Sequence, residues 1–138
     1  MNKLAIIIFL FVSTISFGQR NQDWEKINTL KVAFITEKLS LSSKEAQEFW
    51  PVYNEYQEKR NALRKKSHHQ IKSKIKDADS LSEIESEKLL ALHMQIEEEE
   101  EVLDNDFLNK VSKVISAKKT LLLLRSEEEF KRQLMKQY

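Results

Sequence analysis

The chain contains no cysteine, and its 138 residues include one glycine, Gly18, and one proline, Pro51. The lack of cysteine excludes disulfides, thiol nucleophiles and a lipid-modified N-terminal cysteine. With a lone glycine there is no glycine-rich phosphate loop and no Asn-Gly or Gly-Gly turn of the kind β-hairpins use. No nucleophile motif is present either. The chain therefore reads as a non-enzyme with no cofactor. Neither sign of charge is in excess, with 23 Lys and Arg against 22 Asp and Glu. That balance argues against nucleic acid as a partner. What is abundant is Lys, Glu, Leu and Ser, the composition of long helices.

The N-terminus stands apart. "MNKLAIIIFLFVSTISFG" has one early cation, Lys3, then an apolar run from Leu4 to Val12, then small residues at Ser16 and Gly18. This is the layout of a secretory signal peptide cut near Gly18-Gln19. A membrane anchor is the competing reading, but spanning takes roughly 20 apolar residues and the run is shorter. Residues 1–18 are thus expected to be a signal peptide, and residues 19–138 one helical domain of an exported, periplasmic protein. No stable membrane insertion is expected after cleavage. Charged residues make up 33 %, yet apolar residues recur with helical period, so a folded chain is expected over a disordered one.

The periodicity predicts an all-α fold: a short first helix, a long antiparallel helical hairpin and a closing C-terminal helix. In the first helix, from Asp23 to about Leu39, Ile27, Leu30, Phe34 and then Lys38 or Leu39 form one stripe. The second begins at a capping box, Ser42 with Glu45. Its stripe runs through Phe49, Tyr53, Tyr56, Leu63, Ile71 and Ile75, weakened by gaps at Arg60 and Ser67. Pro51 falls inside this helix. It cannot donate to the carbonyl of Gln47, which predicts a bend near residues 47–51 or a new helix beginning at Pro51. "DADSLSEIESE" breaks the pattern, with Ser80–Glu83 and Ser82–Glu85 as alternative capping boxes. The third helix carries Leu89, Leu92, Ile96, Leu103, Phe107, Val111 and Val114. A fourth starts at Ser116, with Leu121, Leu124, Phe130 and Leu134 as its stripe.

Charge supports the hairpin. From Lys59 to Lys76 there are eight Lys or Arg residues and no acid; from Glu83 to Asp106 there are ten acids and one base, Lys88. A turn near residues 80 and 81 sets residue i opposite residue 161 minus i, with Arg60 near Glu101, Arg64 near Glu97 and Lys76 near Glu85. The plainer reading is two solvated faces, since each exposed pair contributes only about 0–1 kcal/mol.

Two candidate surfaces follow. His68, His69 and His93 fall at one height of the hairpin, with Glu97 one turn after His93. Imidazoles plus a carboxylate are ligands for zinc or a similar ion. Arg64, Lys65 and Lys66 oppose a cation there, so solvent-exposed histidines are the alternative. The second candidate is apolar. Phe49, Tyr53 and Tyr56 share a face with Trp50 on its flank, and Leu121 to Leu124 is apolar round most of a turn. Core packing explains most such stripes. Long thin helices enclose little interior, however, which leaves surface for a dimer partner or a bound polypeptide.

At "LSSKEAQ" and the hairpin after it, the chain resembles the LTxxQ family of small periplasmic proteins: Spy-type and CpxP-type chaperones, with zinc-resistance-associated relatives. The family has Leu-Thr-x-x-Gln at two helix starts. Here the first copy is Leu41, Ser42, Glu45, Ala46 and Gln47, with Ser for Thr and Gln47 one residue late. The second is Ile115-Ser116-Ala117-Lys118-Lys119, with Leu121 where Gln47 stands in the first. "FWPVYNEY" and "EEEFKRQL" resemble a subgroup often labelled as sensors of extracytoplasmic-function sigma factors. The resemblance implies a cradle-shaped homodimer that holds unfolded or partner proteins without ATP. On their own chemistry, Phe49, Trp50, Tyr53, Tyr56, Arg60, Arg64, Lys65, Lys66, Leu121 and Leu124 are candidates for a client or dimer surface. Regulation of a membrane sensor or anti-sigma factor, and periplasmic metal sensing or buffering, are the alternatives.

Overall fold

The computed structural model describes residue 23 and residues 25–137. Among these residues all regular structure is helical. Helix α1 covers residues 25–39. Helix α2 is Ser43–Ser67, continued by a π-helical turn His68–Lys72 and an α-helical end Ser73–Ile75. A 3-10 turn, Ala78–Ser80, leads to α3, Glu83–Ile115, and α4 follows at Ala117–Gln137. Residues 1–18, expected from their sequence to be a signal peptide, lie outside the described residues.

The described residues group into two compact units. One is Leu41–Leu121. The other joins the described residues before it to those from Leu122 onward, so α4 begins in the first and continues into the second.

Leu41–Leu121 is the helical hairpin. Its ends are set by side chains that satisfy free backbone groups. At Ser42 the hydroxyl accepts the Glu45 N–H (3.1 Å), and the Glu45 carboxylate accepts the Ser42 N–H (3.1 Å). The same box forms at Ser82 with Glu85 (3.2 and 2.8 Å). Ser80 is not the cap, because its hydroxyl donates to the Asp77 carbonyl inside the turn (2.8 Å). From Glu83 to Ile115 α3 has 33 residues, about 50 Å of helix.

The two arms run antiparallel. Tyr56 meets Asp104, Arg60 meets Glu100 and Asp104, and Lys66 meets Glu99. Arg60, expected opposite Glu101, thus lands within a turn of it. Arg64 and Lys76 form no ion pair among the described residues, and the Glu85 carboxylate is occupied by its capping box.

Helix α2 passes through Pro51 unbroken, which corrects the expectation of a new helix starting there. Pro51 and Gln47 are both exposed, so water can reach the carbonyl that lacks a donor. The unforeseen feature is the π turn. On a regular α-helix Ile71 would sit about 80° round from Leu63, since eight residues advance two turns and a fraction. A π turn absorbs one extra residue and returns Ile71 to the inward stripe, where it is fully buried. The Ser73 N–H bonds back to the His68 carbonyl, and the Ser73 hydroxyl donates to the His69 carbonyl (2.6 Å), which an α-helix would have given to the Ser73 N–H.

In the second unit Ile35, Leu39, Leu123 and Phe130 are buried, with Phe34 and Phe130 rings 5.6 Å apart and Lys38 3.9 Å from Glu129. Leu30, expected in the α1 stripe, is 50 % exposed, and Ile35 is buried in its place. In α4 Phe130 is buried as its stripe predicts, but Leu121 and Leu124 face outward while Thr120, Leu123 and Ser126 turn inward.

Candidate functional site

The two helix-start motifs meet. Glu45, third residue of α2, receives both the Ser42 N–H and the Lys119 ammonium on the same carboxylate oxygen, the latter at 2.7 Å. Lys119 is the third residue of α4, and its backbone N–H donates to the Ser116 hydroxyl (3.3 Å). The Lys119 ammonium, and after it the Ser42 N–H, hold the Glu45 carboxyl below the usual carboxylate range. Ile115 is buried beside this junction, Leu41 is half-buried, and Gln47 is exposed.

Above the junction lies an aromatic cluster. Phe49 and Tyr53 are buried, and Trp50 and Tyr56 are half-buried. Trp50 packs edge-on to Phe49 (4.8 Å) and to Tyr53 (5.3 Å). Tyr53 meets Phe107 edge-on at 6.1 Å, and Tyr56 stacks on the same ring at 4.0 Å and 10°. The Tyr56 hydroxyl donates to Asp104 (2.6 Å). Phe107 and Asp104, absent from the sequence-based site, are therefore its centre. The hairpin register already placed Phe107 between Tyr53 and Tyr56. Phe49 and Tyr53 belong to the core and offer no open surface.

Beyond the rings the arms carry charge. Lys59 is taken by Glu55 on its own helix at 2.9 Å, a bond that raises the Lys59 pKa and lowers that of Glu55. Arg60 reaches Glu100 and Asp104 at 3.5 and 3.3 Å, and Lys66 reaches Glu99 at 3.5 Å. The Arg60 and Lys66 pairs between the arms are partly exposed and contribute about 0–1 kcal/mol each, so they select register more than they stabilise. Arg64, Lys65, Lys72, Lys74 and Lys76 are exposed and make no ion pair among the described residues.

Apolar side chains are open along the outer face of α3. Leu90 is 60 % and Met94 63 % exposed, one turn apart, with Glu87, Glu98 and Glu101 around them. Ile75 and Ile84 are exposed nearer the hairpin turn, and Leu121 and Leu124 on α4.

The histidines do not assemble. His68 and His69 are adjacent and exposed, their rings 5.6 Å apart and edge-on. No group of three or more His, Cys, Asp or Glu side chains able to hold a metal occurs among the described residues. His93 and Glu97, four residues apart, line one cleft, but neither His68 nor His69 does, and those two point about 100° apart as successive residues of a helix.

No family model, curated protein or solved structure matches this chain.

Proposed function

We propose that this chain is an exported, ATP-independent, chaperone-like or stress-response protein that binds unfolded or partner polypeptides without catalysing a reaction. The observation that carries this reading is the pair Leu90 and Met94, exposed on a glutamate-rich helix face. A soluble helix gains nothing from such side chains in water. Full burial of a leucine or methionine contributes about 1.5–3 kcal/mol, so a few partial contacts favour loose capture and release without ATP. Unpaired cations on one arm and unpaired carboxylates on the other would speed encounter with chains of either charge. Export rests on the sequence of residues 1–18, and a homodimer on the resemblance of the sequence to Spy-like proteins.

Suppression of aggregation of a chemically unfolded protein tests the reading. The wild-type chain should delay aggregation at a few-fold molar excess, and Leu90→Ser with Met94→Ser should lose most of that effect while keeping the helical spectrum. No delay by the wild-type chain would refute it. Recovery of one membrane-bound partner, with no action on generic unfolded proteins, would support the regulatory alternative instead.

A further inference from the structure

Where the basic arm widens at the π turn, the two arms enclose a cleft of about 340 Å3. That volume lies in the small-ligand range, about 300–1,000 Å3. Ile71 is its buried floor, and Ile75, half open, extends it. Arg64, Lys72, Ser67 and His93 stand round this apolar surface. At one end Arg60 is held by Glu100, which also lines the cleft. Arg64 and Lys72 have no such partner: neither forms an ion pair among the described residues, and neither Ser67 nor His93 makes a side-chain hydrogen bond there. Glu97 also lines the cleft unpaired. Free charge at the site is therefore two fixed cations against one carboxylate, over aliphatic carbon.

We infer that this cleft binds an anionic amphiphile: a carboxylate, phosphate or sulfate head on a short alkyl chain. The head lies between the Arg64 guanidinium and the Lys72 ammonium, which donate charge-assisted hydrogen bonds to it. The Ser67 hydroxyl and a ring N–H of His93 are further donors. The alkyl chain covers Ile71 and Ile75, whose burial gives the driving force. The π turn is independent support. Such turns are less stable than α-helix and concentrate at functional sites, and the sequence HHQIK has no glycine or proline to impose one. Here it brings Ile71 to the floor while leaving Lys72 and Ile75 at the mouth.

Calorimetric titration of the whole chain with decanoate, decyl phosphate and decyl sulfate, each below its micelle concentration, tests the inference. At least one should give saturable 1:1 binding with a Kd below ~1 mM, and the tightest of the three identifies the head. Acetate and decyltrimethylammonium should bind at least about tenfold more weakly. Arg64→Gln with Lys72→Gln should weaken binding about tenfold or more, and Ile75→Asp likewise, whereas Lys65→Gln with Lys74→Gln, outside the cleft, should not. All these positions are exposed, so the fold is retained, as the circular dichroism spectrum checks. Equal binding of the cationic amphiphile, indifference to the Arg64 and Lys72 changes, an equal loss in the Lys65 and Lys74 variant, or no saturable binding would each overturn it. That failure would leave the polypeptide-binding reading standing, because that reading rests on the outer face of α3.

Discussion

Ser116 joins α3 to α4 at φ 82° and ψ 158°. Glycine enters this region freely; any other residue brings its Cβ against the backbone, at about 1–3 kcal/mol. The residue is held there by local bonds. Its hydroxyl accepts the Lys119 N–H at 3.3 Å, and its carbonyl accepts the Thr120 N–H at 3.0 Å and the Thr120 hydroxyl at 2.7 Å. Ser116→Gly removes the strain and keeps both carbonyl bonds. It gives up the hydroxyl cap, a few tenths of a kcal/mol when glycine replaces serine, and frees the unfolded chain, roughly 0.4–1 kcal/mol. The net expectation is a gain of about 1 kcal/mol. Ser116→Ala keeps the strain and loses the cap, so it should cost about 1 kcal/mol. The two variants should therefore differ by about 2 kcal/mol, an offset in urea midpoint of roughly 1 M read by far-ultraviolet circular dichroism. Ser116→Gly less stable than wild type, or no more stable than Ser116→Ala, would refute the reasoning.

Phe107→Ala removes the ring shared by Tyr53 and Tyr56 and should cost about 3–5 kcal/mol in the same assay, against less than about 0.5 kcal/mol for the exposed Leu90→Ala. Pro51→Ala restores a donor to the Gln47 carbonyl inside an unbroken helix and should stabilise by about 2 kcal/mol; a loss of stability would mean that Pro51 shapes a conformation alanine cannot adopt. Acid should destabilise the hairpin through Glu45 and Glu85, the first lowered by Lys119 and the Ser42 N–H, the second by its bonds to Ser82. Carboxyls lowered by folding contribute stability above their ordinary value of 4.5, lost as pH falls through the folded value. Stability should therefore decline below about pH 4.5, and more shallowly when Glu45→Gln and Glu85→Gln are combined; an unchanged slope in that variant counts against both boxes.

Much of the hairpin was legible because its signals are local or additive. A capping box needs only a serine and a glutamate three apart, and charge complementarity sums over many turns, so helix starts and approximate register could both be read. Ser80 and Ser82 gave equal local signals; the turn decides between them, by using the Ser80 hydroxyl on Asp77. Four leucines in a row, Leu121 to Leu124, carry no periodic information, and only packing selects Leu123 for burial. The π turn left one trace, the eight-residue gap from Leu63 to Ile71, which reads as a weak stripe until the extra residue is counted. For the histidines, register gives height along a hairpin but not the direction a side chain takes.

The junction at Glu45 suggests which letters of the repeated helix-start pattern matter in this chain. A helix N-terminus presents unpaired N–H groups and about half a positive charge. Two such ends within reach of one salt bridge repel unless an anion lies between them. Glu45 supplies it, accepting from Ser42 at one start and from Lys119 at the other. Serine caps and this shared acid form the contact. Gln47 and Leu121, where the two copies differ most, are both exposed and take no part in it. A glutamine at position 121 is therefore not needed for the joint, whereas loss of Glu45 would remove the one carboxylate oxygen that accepts from both helix starts.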